Sequence, residues 1–175
     1  MSSLPLENLV FWDTEFSSLD PYRGELMSIG MVKPSGEELY VELEFNGVAD
    51  AWVMENVVPK LTGPKVTREA AMKAISDFLG NSKPHMVAYV NQFDVIYLYK
   101  ILGAKTSTKD YAFHWIHYDL ATILATLGYD PECLTHNKLP DFAREHGLDV
   151  SWRREHHALD DAKLMKMVYD LLTKV

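Results

Sequence analysis

The order in which strand and helix patterns follow one another constrains this chain most. Strand patterns crowd its first third. Leu9 to Glu15 and Leu26 to Val32 are short apolar, β-branched runs, and Lys33-Pro34-Ser35-Gly36 supplies a turn after the second. From Leu39 to Phe45, apolar Leu39, Val41, Leu43 and Phe45 alternate with Tyr40, Glu42 and Glu44. That period of two turns the apolar set inward and the polar set outward. The three runs predict a meander. Asp50 to Leu61 fits neither period cleanly, and Gly63-Pro64 breaks the chain before Thr67 and Glu69 open a helix. Its apolar positions Ala71, Ile75, Phe78 and Leu79 recur at three and four, and Gly80 ends it. Beyond it, strands and helices alternate: a strand at His85 to Val90, a helix at Asp94 to Leu102, and a strand at Phe113 to Tyr118. Helices follow at Ala121 to Leu127, stopped by Gly128, at Leu139 to His146, closed by Gly147, and at His157 to Lys174. Three strands in a row followed by alternation predict an α/β fold with a mixed five-stranded sheet flanked by helices.

Length and composition narrow the function classes. At 175 residues and 47% hydrophobic content, without internal repeats or linker-like stretches, residues 1-175 are expected to form one domain. No apolar run approaches the roughly 18 residues a membrane helix needs, and Met1 to Glu7 has neither a basic nor an apolar leader region. The expected setting is cytoplasmic, with no membrane partner. A single cysteine, Cys133, leaves no internal disulfide and no Cys-rich zinc module. With 17 Lys plus Arg against 25 Asp plus Glu, the net charge of −8 denies the chain the broad basic surface of a non-specific nucleic-acid binder. Any polyanion must be held locally.

Several carboxylates stand where carboxylates are costly. Asp13 and Glu15 are two apart in a strand, so both leave one face while Thr14 leaves the other. Like charges side by side call for a proton or a cation, and hard divalent cations with oxygen ligands are the usual remedy. The plain alternative is a solvated acidic face on an edge strand. Asp94 opens a helix and leads the apolar stripe of Tyr97, Leu98 and Ile101, which points to burial; an N-cap would explain it equally. Asp161 leads Met165, Val168 and Leu172 in the same way on the last helix. Its neighbour Asp160 leads Leu164, Met167 and Leu171, so helical geometry does not choose between the two. Asp119, just ahead of the Ala121 helix, reads as a cap. Of seven histidines, His114 and His117 need be no more than core or surface residues, whereas His156 and His157 stand just ahead of Asp161. A His-His-Asp cluster could hold zinc. Without cysteine partners, and with Asp13 and Glu15 available, an oxygen-rich Mg²⁺ or Mn²⁺ site with one histidine as base is the better reading.

Three segments carry a family resemblance: Phe11-Trp12-Asp13-Thr14-Glu15-Phe16, Ala88-Tyr89-Val90-Asn91-Gln92-Phe93-Asp94 and His156-His157-Ala158-Leu159-Asp160-Asp161-Ala162. In this order they resemble the DEDDh 3′-to-5′ exonucleases of the ribonuclease H-like superfamily, the group of ribonuclease T, oligoribonuclease and proofreading exonuclease subunits. With Leu26-Met27-Ser28-Ile29-Gly30 and the stretch from Trp52 to Leu61, the chain is most similar to small stand-alone bacterial 3′-to-5′ exoribonucleases typified by a mycobacterial enzyme. The family's histidine precedes its metal aspartate by five, which selects His156 and Asp161. One departure stands out: many relatives place Asn four residues before the second Asp, where this chain has Val90, with Asn91 three before.

The resemblance implies the chemistry. Two Mg²⁺ or Mn²⁺ ions about 4 Å apart would clamp the scissile phosphate, one activating water and one stabilising the leaving 3′ oxygen. Asp13 would contact both ions, Glu15 and Asp161 the nucleophile-side ion, and Asp94 the other, while His156 takes the proton. Phe16 would stack on the terminal base, unless it is simply a core residue. The expected activity is a metal-dependent 3′-to-5′ exoribonuclease that trims single-stranded RNA or 3′ overhangs to nucleoside 5′-monophosphates. A 3′-to-5′ DNA exonuclease of proofreading type and a catalytically inactive RNA-binding module are the alternatives. Relatives are often homodimers, so a homodimer is a further expectation. The residual acidity predicts weak, metal-dependent affinity at one 3′ end, not salt-sensitive coating of long nucleic acid.

Overall fold

The computed structural model describes residues 7–103, 105, 107–129 and 138–173. Cys133, and the expected end of the last helix at Lys174, lie outside them. The sheet is built around β1 (Leu9–Phe16), which pairs antiparallel with β2 (Leu26–Val32), as β2 does with β3 (Glu38–Leu43). These are the three strands of the expected meander. On the other side of β1, β5 (His85–Ala88) and β6 (Tyr118–Asp119) add in parallel. A sixth strand, β4 (Lys65–Val66), joins in parallel outside β3, giving the order β4-β3-β2-β1-β5-β6. The helices are α1 (Ala51–Asn56), α2 (Arg68–Leu79), α3 (Gln92–Leu102), α4 (Leu120–Thr126), α5 (Lys138–Glu145) and α6 (Ala158–Leu172).

β1 is central, so both of its faces are covered and its first four residues are buried. α6 packs on the face of Phe11, Asp13 and Glu15, with the Phe11 and Tyr169 rings meeting edge to face at 5.2 Å. α3, packed against α2, takes the face of Trp12, Thr14 and Phe16. Helix ends follow their sequence cues. The Thr67 side chain accepts from the N–H of Ala70 at 3.3 Å to open α2, and Asp119 caps α4 by accepting from Ala121 N–H at 3.1 Å. The ambiguous stretch at 50–61 becomes the short α1, none of whose residues is buried, and a 3₁₀ turn at Val58–Lys60.

Three local expectations change. The five expected strands become six because the chain after Gly63-Pro64 lies beside β3, which a two-residue strand is too short to announce. The expected strand at Phe113 to Tyr118 contracts to Tyr118–Asp119. Its aromatic residues form a cluster instead, Phe113 stacking with Tyr111 at 5.2 Å and meeting His117 edge-on at 5.3 Å. Glu42, expected to face outward, is 3% exposed. The polar face of β3 is covered by α6, and Glu42 is bound there by the Tyr40 hydroxyl at 2.9 Å, the Gly63 N–H at 3.0 Å and the Lys65 ammonium.

One residue sets how closely α6 approaches. Gly30 on β2 lies opposite Asp13 in register. A Cβ there would come within 2.2 to 2.4 Å of the backbone of Ala158 and Leu159. Only glycine admits the start of α6 at this distance.

Candidate active site

β1 carries Asp13 and Glu15 to the end of the sheet on the α6 face, and α6 brings Asp161 to meet them. One carboxylate oxygen from each of the three lies within 4.8 Å of the others. Asp94 enters from α3 on the other side of the strand, where its Oδ1 accepts from the Thr14 N–H at 3.0 Å and the Thr14 hydroxyl at 2.6 Å. It is 6% exposed and stands outside the tight trio, yet its charge reaches both Asp13 and Glu15. All four acids, together with Thr14, Phe16, Tyr89, Val90, Phe93 and His156, line one cleft of about 300 Å³.

The electrostatics of the cleft are unbalanced. Burial, then the charges of Asp94, Asp161 and Glu15, push the Asp13 carboxyl well above the usual carboxylate range. Burial and the neighbouring acids push Glu15 up to about 8. Burial raises Asp94 to about 6 against the opposing hydrogen bonds from Thr14. It raises Asp161 to about 6 as well, against the pull of Arg153, whose Nε donates to Asp161 Oδ1. Carboxyls that resist ionisation in company lack a counter-cation. The donors are hard oxygens with no thiolate among them, which suits Mg²⁺ or Mn²⁺ better than a soft metal.

The two histidines ahead of α6 separate. His156 lines the cleft, with its side chain 29% exposed, the Trp52 ring edge-on at 4.9 Å and Glu155 at 3.7 Å. Burial, followed by the charge of Lys60, lowers its pKa, so the ring is neutral near pH 7 and can accept a proton. His157 turns away to stack on Tyr40 at 4.3 Å and to meet Asp160 at 3.4 Å. Asp160 likewise leaves the cleft. Burial alone would raise it, but hydrogen bonds from the Arg154 backbone N–H at 2.8 Å and guanidinium at 2.9 Å hold it below the usual carboxylate range. The choice helical periodicity left open is thus decided by geometry in favour of Asp161 as the acid beside Asp13 and Glu15.

Phe16 lies at the cleft wall after a register shift in β1, stacked flat on Tyr97 at 4.5 Å and 5.9 Å from Phe93. It is both a packed residue and a cleft-lining one. Asn91 places its side-chain nitrogen 3.4 Å from the Tyr118 carbonyl. Two residues of the cleft have backbone strain: Val90 at φ 52° and His156 at φ 54° occupy the left-handed region, which is costly for a β-branched side chain. Asp119, read from sequence as a cap alone, also accepts from the Val90 N–H at 2.9 Å and pins that turn. Residues that sequence reasoning passed over are therefore Arg153, Thr14, Gly30 and this second role of Asp119. Only Gly30 had a sequence cue, a glycine inside a strand pattern.

No protein-family model and no curated protein sequence matches the chain. Solved structures do. Exonuclease I matches with a TM-score of 0.69 at 15% identity over 95% of this chain. E. coli exonuclease I in complex with a dT13 oligonucleotide gives 0.69 at 14% identity over 94%. The chain has the ribonuclease H-like fold. It spans about 40% of the length of those exonuclease I chains. A chain of the structure of the yeast NOT1 MIF4G domain co-crystallised with CAF1 also matches, with a TM-score of 0.62 at 15% identity, over 94% of this chain and 78% of that one. In this ribonuclease H-like sheet the acids gather at the end of the central strand, between the starts of α3 and α6. No helix among the described residues is long and apolar enough to cross a membrane.

Proposed function

We propose that this chain is a metal-dependent 3′-to-5′ exonuclease that removes nucleoside 5′-monophosphates from single-stranded RNA or RNA 3′ overhangs. The observation that carries the reading is the convergence of Asp13, Glu15 and Asp161 within 4.8 Å in the cleft that Asp94 and His156 also line. Divalent ions bound there would neutralise the phosphate's charge and lower the pKa of the attacking water. Asp13, Glu15, Asp94 and Asp161 hold them. Thr14 fixes Asp94 through both of its donors, leaving Oδ2 available as the ligand atom. His156, neutral and at the rim, takes the proton of the attacking water. Phe16, backed by Tyr97, gives the terminal base a flat surface.

A DNA substrate is the second reading. It is favoured by one observation, that structural neighbours of this chain are exonuclease I bound to DNA oligonucleotides. The deciding assay incubates 5′-labelled single-stranded RNA, overhang duplex RNA and single-stranded DNA with Mg²⁺, Mn²⁺ or chelator. A ladder shortening from the 3′ end on RNA alone is expected. Shortening of DNA in preference to RNA replaces the substrate. Cleavage that survives chelator sinks the metal mechanism, and no cleavage with any metal leaves an inactive nucleic-acid-binding module.

A further inference from the structure

Arg153 is an anomaly in the cleft's electrostatics. Its side chain is 13% exposed, yet among the described residues its guanidinium donates only through Nε, to Asp161 Oδ1. The two Nη groups, with four N–H bonds between them, have no acceptor among the described residues. Arg154 next door is engaged differently, its Nε and Nη2 donating to both oxygens of Asp160. The bond from Arg153 to Asp161 seats its guanidinium beside the acid cluster, and its charge acts on Asp13, Glu15, Asp161 and His156. Lys60, whose ammonium makes no hydrogen bond or ion pair among the described residues, also acts on Glu15 and His156.

We infer that Arg153 is a phosphate-binding residue of this site: held at Nε by Asp161, it offers its Nη groups to a non-bridging oxygen of the scissile phosphate. After cleavage the same oxygen belongs to the 5′-phosphate of the released nucleotide. A guanidinium suits the task because its planar fork matches two phosphate oxygens. Asp161 retains Oδ2 for a metal ion, so ion and guanidinium share the carboxylate without displacing each other, and the ion–arginine pair would brace the phosphate from two directions. The arrangement also answers how a chain of net charge −8 holds a polyanion: the cationic grip is confined to the reacting phosphate. This inference rests on the proposed nuclease reading.

The test is calorimetric titration of AMP and of adenosine, with Ca²⁺ present to load the site, into the wild-type chain, Arg153→Gln and Arg153→Lys. Mn²⁺ titration without nucleotide runs in parallel. Arg153→Gln is expected to lose about tenfold to a hundredfold in AMP affinity while binding adenosine as the wild type does and still taking up Mn²⁺. Arg153→Lys, which keeps the charge without the fork, falls between and covers the case in which the glutamine variant is unstable. Unchanged AMP affinity in both variants overturns the inference. An AMP deficit that disappears when the ion is saturating also overturns it, because Arg153 would then only orient Asp161. If the wild type binds AMP and shortens RNA or DNA while Arg153→Gln matches it, the inference alone falls. If the wild type does neither, the nuclease reading falls first.

Discussion

Two groups of acids gather around the start of α6, and the fold treats them in opposite ways. Glu42 and Asp160 are 3% and 4% exposed, and each is matched by a cation, Lys65 for one and Arg154 for the other. Both carboxyls are held below their ordinary range by these partners despite burial. Among the described residues, Asp13, Glu15, Asp94 and Asp161 have one direct cation between them, Arg153 paired with Asp161, and all four are pushed up. The fold can neutralise a buried acid where the acid is structural. Where it does not, an excess of negative charge is left in the cleft, and that contrast marks the candidate site more firmly than the acids' number does.

The contrast breaks most visibly by substitution. Asp13→Asn is expected to lower kcat on a labelled oligonucleotide by about 10³-fold while raising the metal-free Tm by about 2–4 °C, since it removes a repelled charge. A drop in Tm alongside the lost activity would place Asp13 with the structural acids. Gly30→Ala pushes the start of α6 off β2 and is expected to cost about 1–3 kcal/mol by denaturant unfolding. Nuclease activity should fall further than that loss explains, because Asp161 moves away from Asp13.

Glu42→Gln is the counterpart in the satisfied group. It weakens the contacts to Lys65 and Gly63, at an expected cost of about 1–2 kcal/mol, kept modest by the solvent access of Lys65. At temperatures where the variant is folded, kcat should stay near wild type. The last test is of pH. Glu15 holds its proton to about 8 in the fold but to about 4.5 when unfolded, so between those values the native state binds more protons. Metal-free stability therefore falls as pH rises through that window. Mg²⁺ should raise Tm more at pH 8 than at pH 5; an equal rise at both would mean the ion binds elsewhere.

Much of this arrangement is legible in the sequence because it rests on local periodicity. A two-residue spacing in a strand puts Asp13 and Glu15 on one face, and an acid at the head of an apolar helical stripe predicts the burial of Asp94. Asp160 and Asp161 mark where periodicity stops being informative. Consecutive helical positions are 100° apart, both lead apolar stripes, and the pairing of Arg154 with one and Arg153 with the other is fixed by the turn before α6. Glu42 misled because alternation reports only that a strand has two faces, and not that a helix more than 110 residues later covers the polar one. The β4 strand and the contracted β6 depend on neighbours in space that no short window contains.

Gly30 makes the site's dimensions depend on an atom that is absent. Asp13 belongs to the sheet and Asp161 to the last helix, and the distance between these two rigid pieces is gauged by the empty place where a methyl group would be. In the proposed nuclease, selection on catalysis would act on a residue with no chemistry of its own. By the proposed reading, the chain could keep every acid, the histidine and the arginine, and still lose activity by being one carbon too thick.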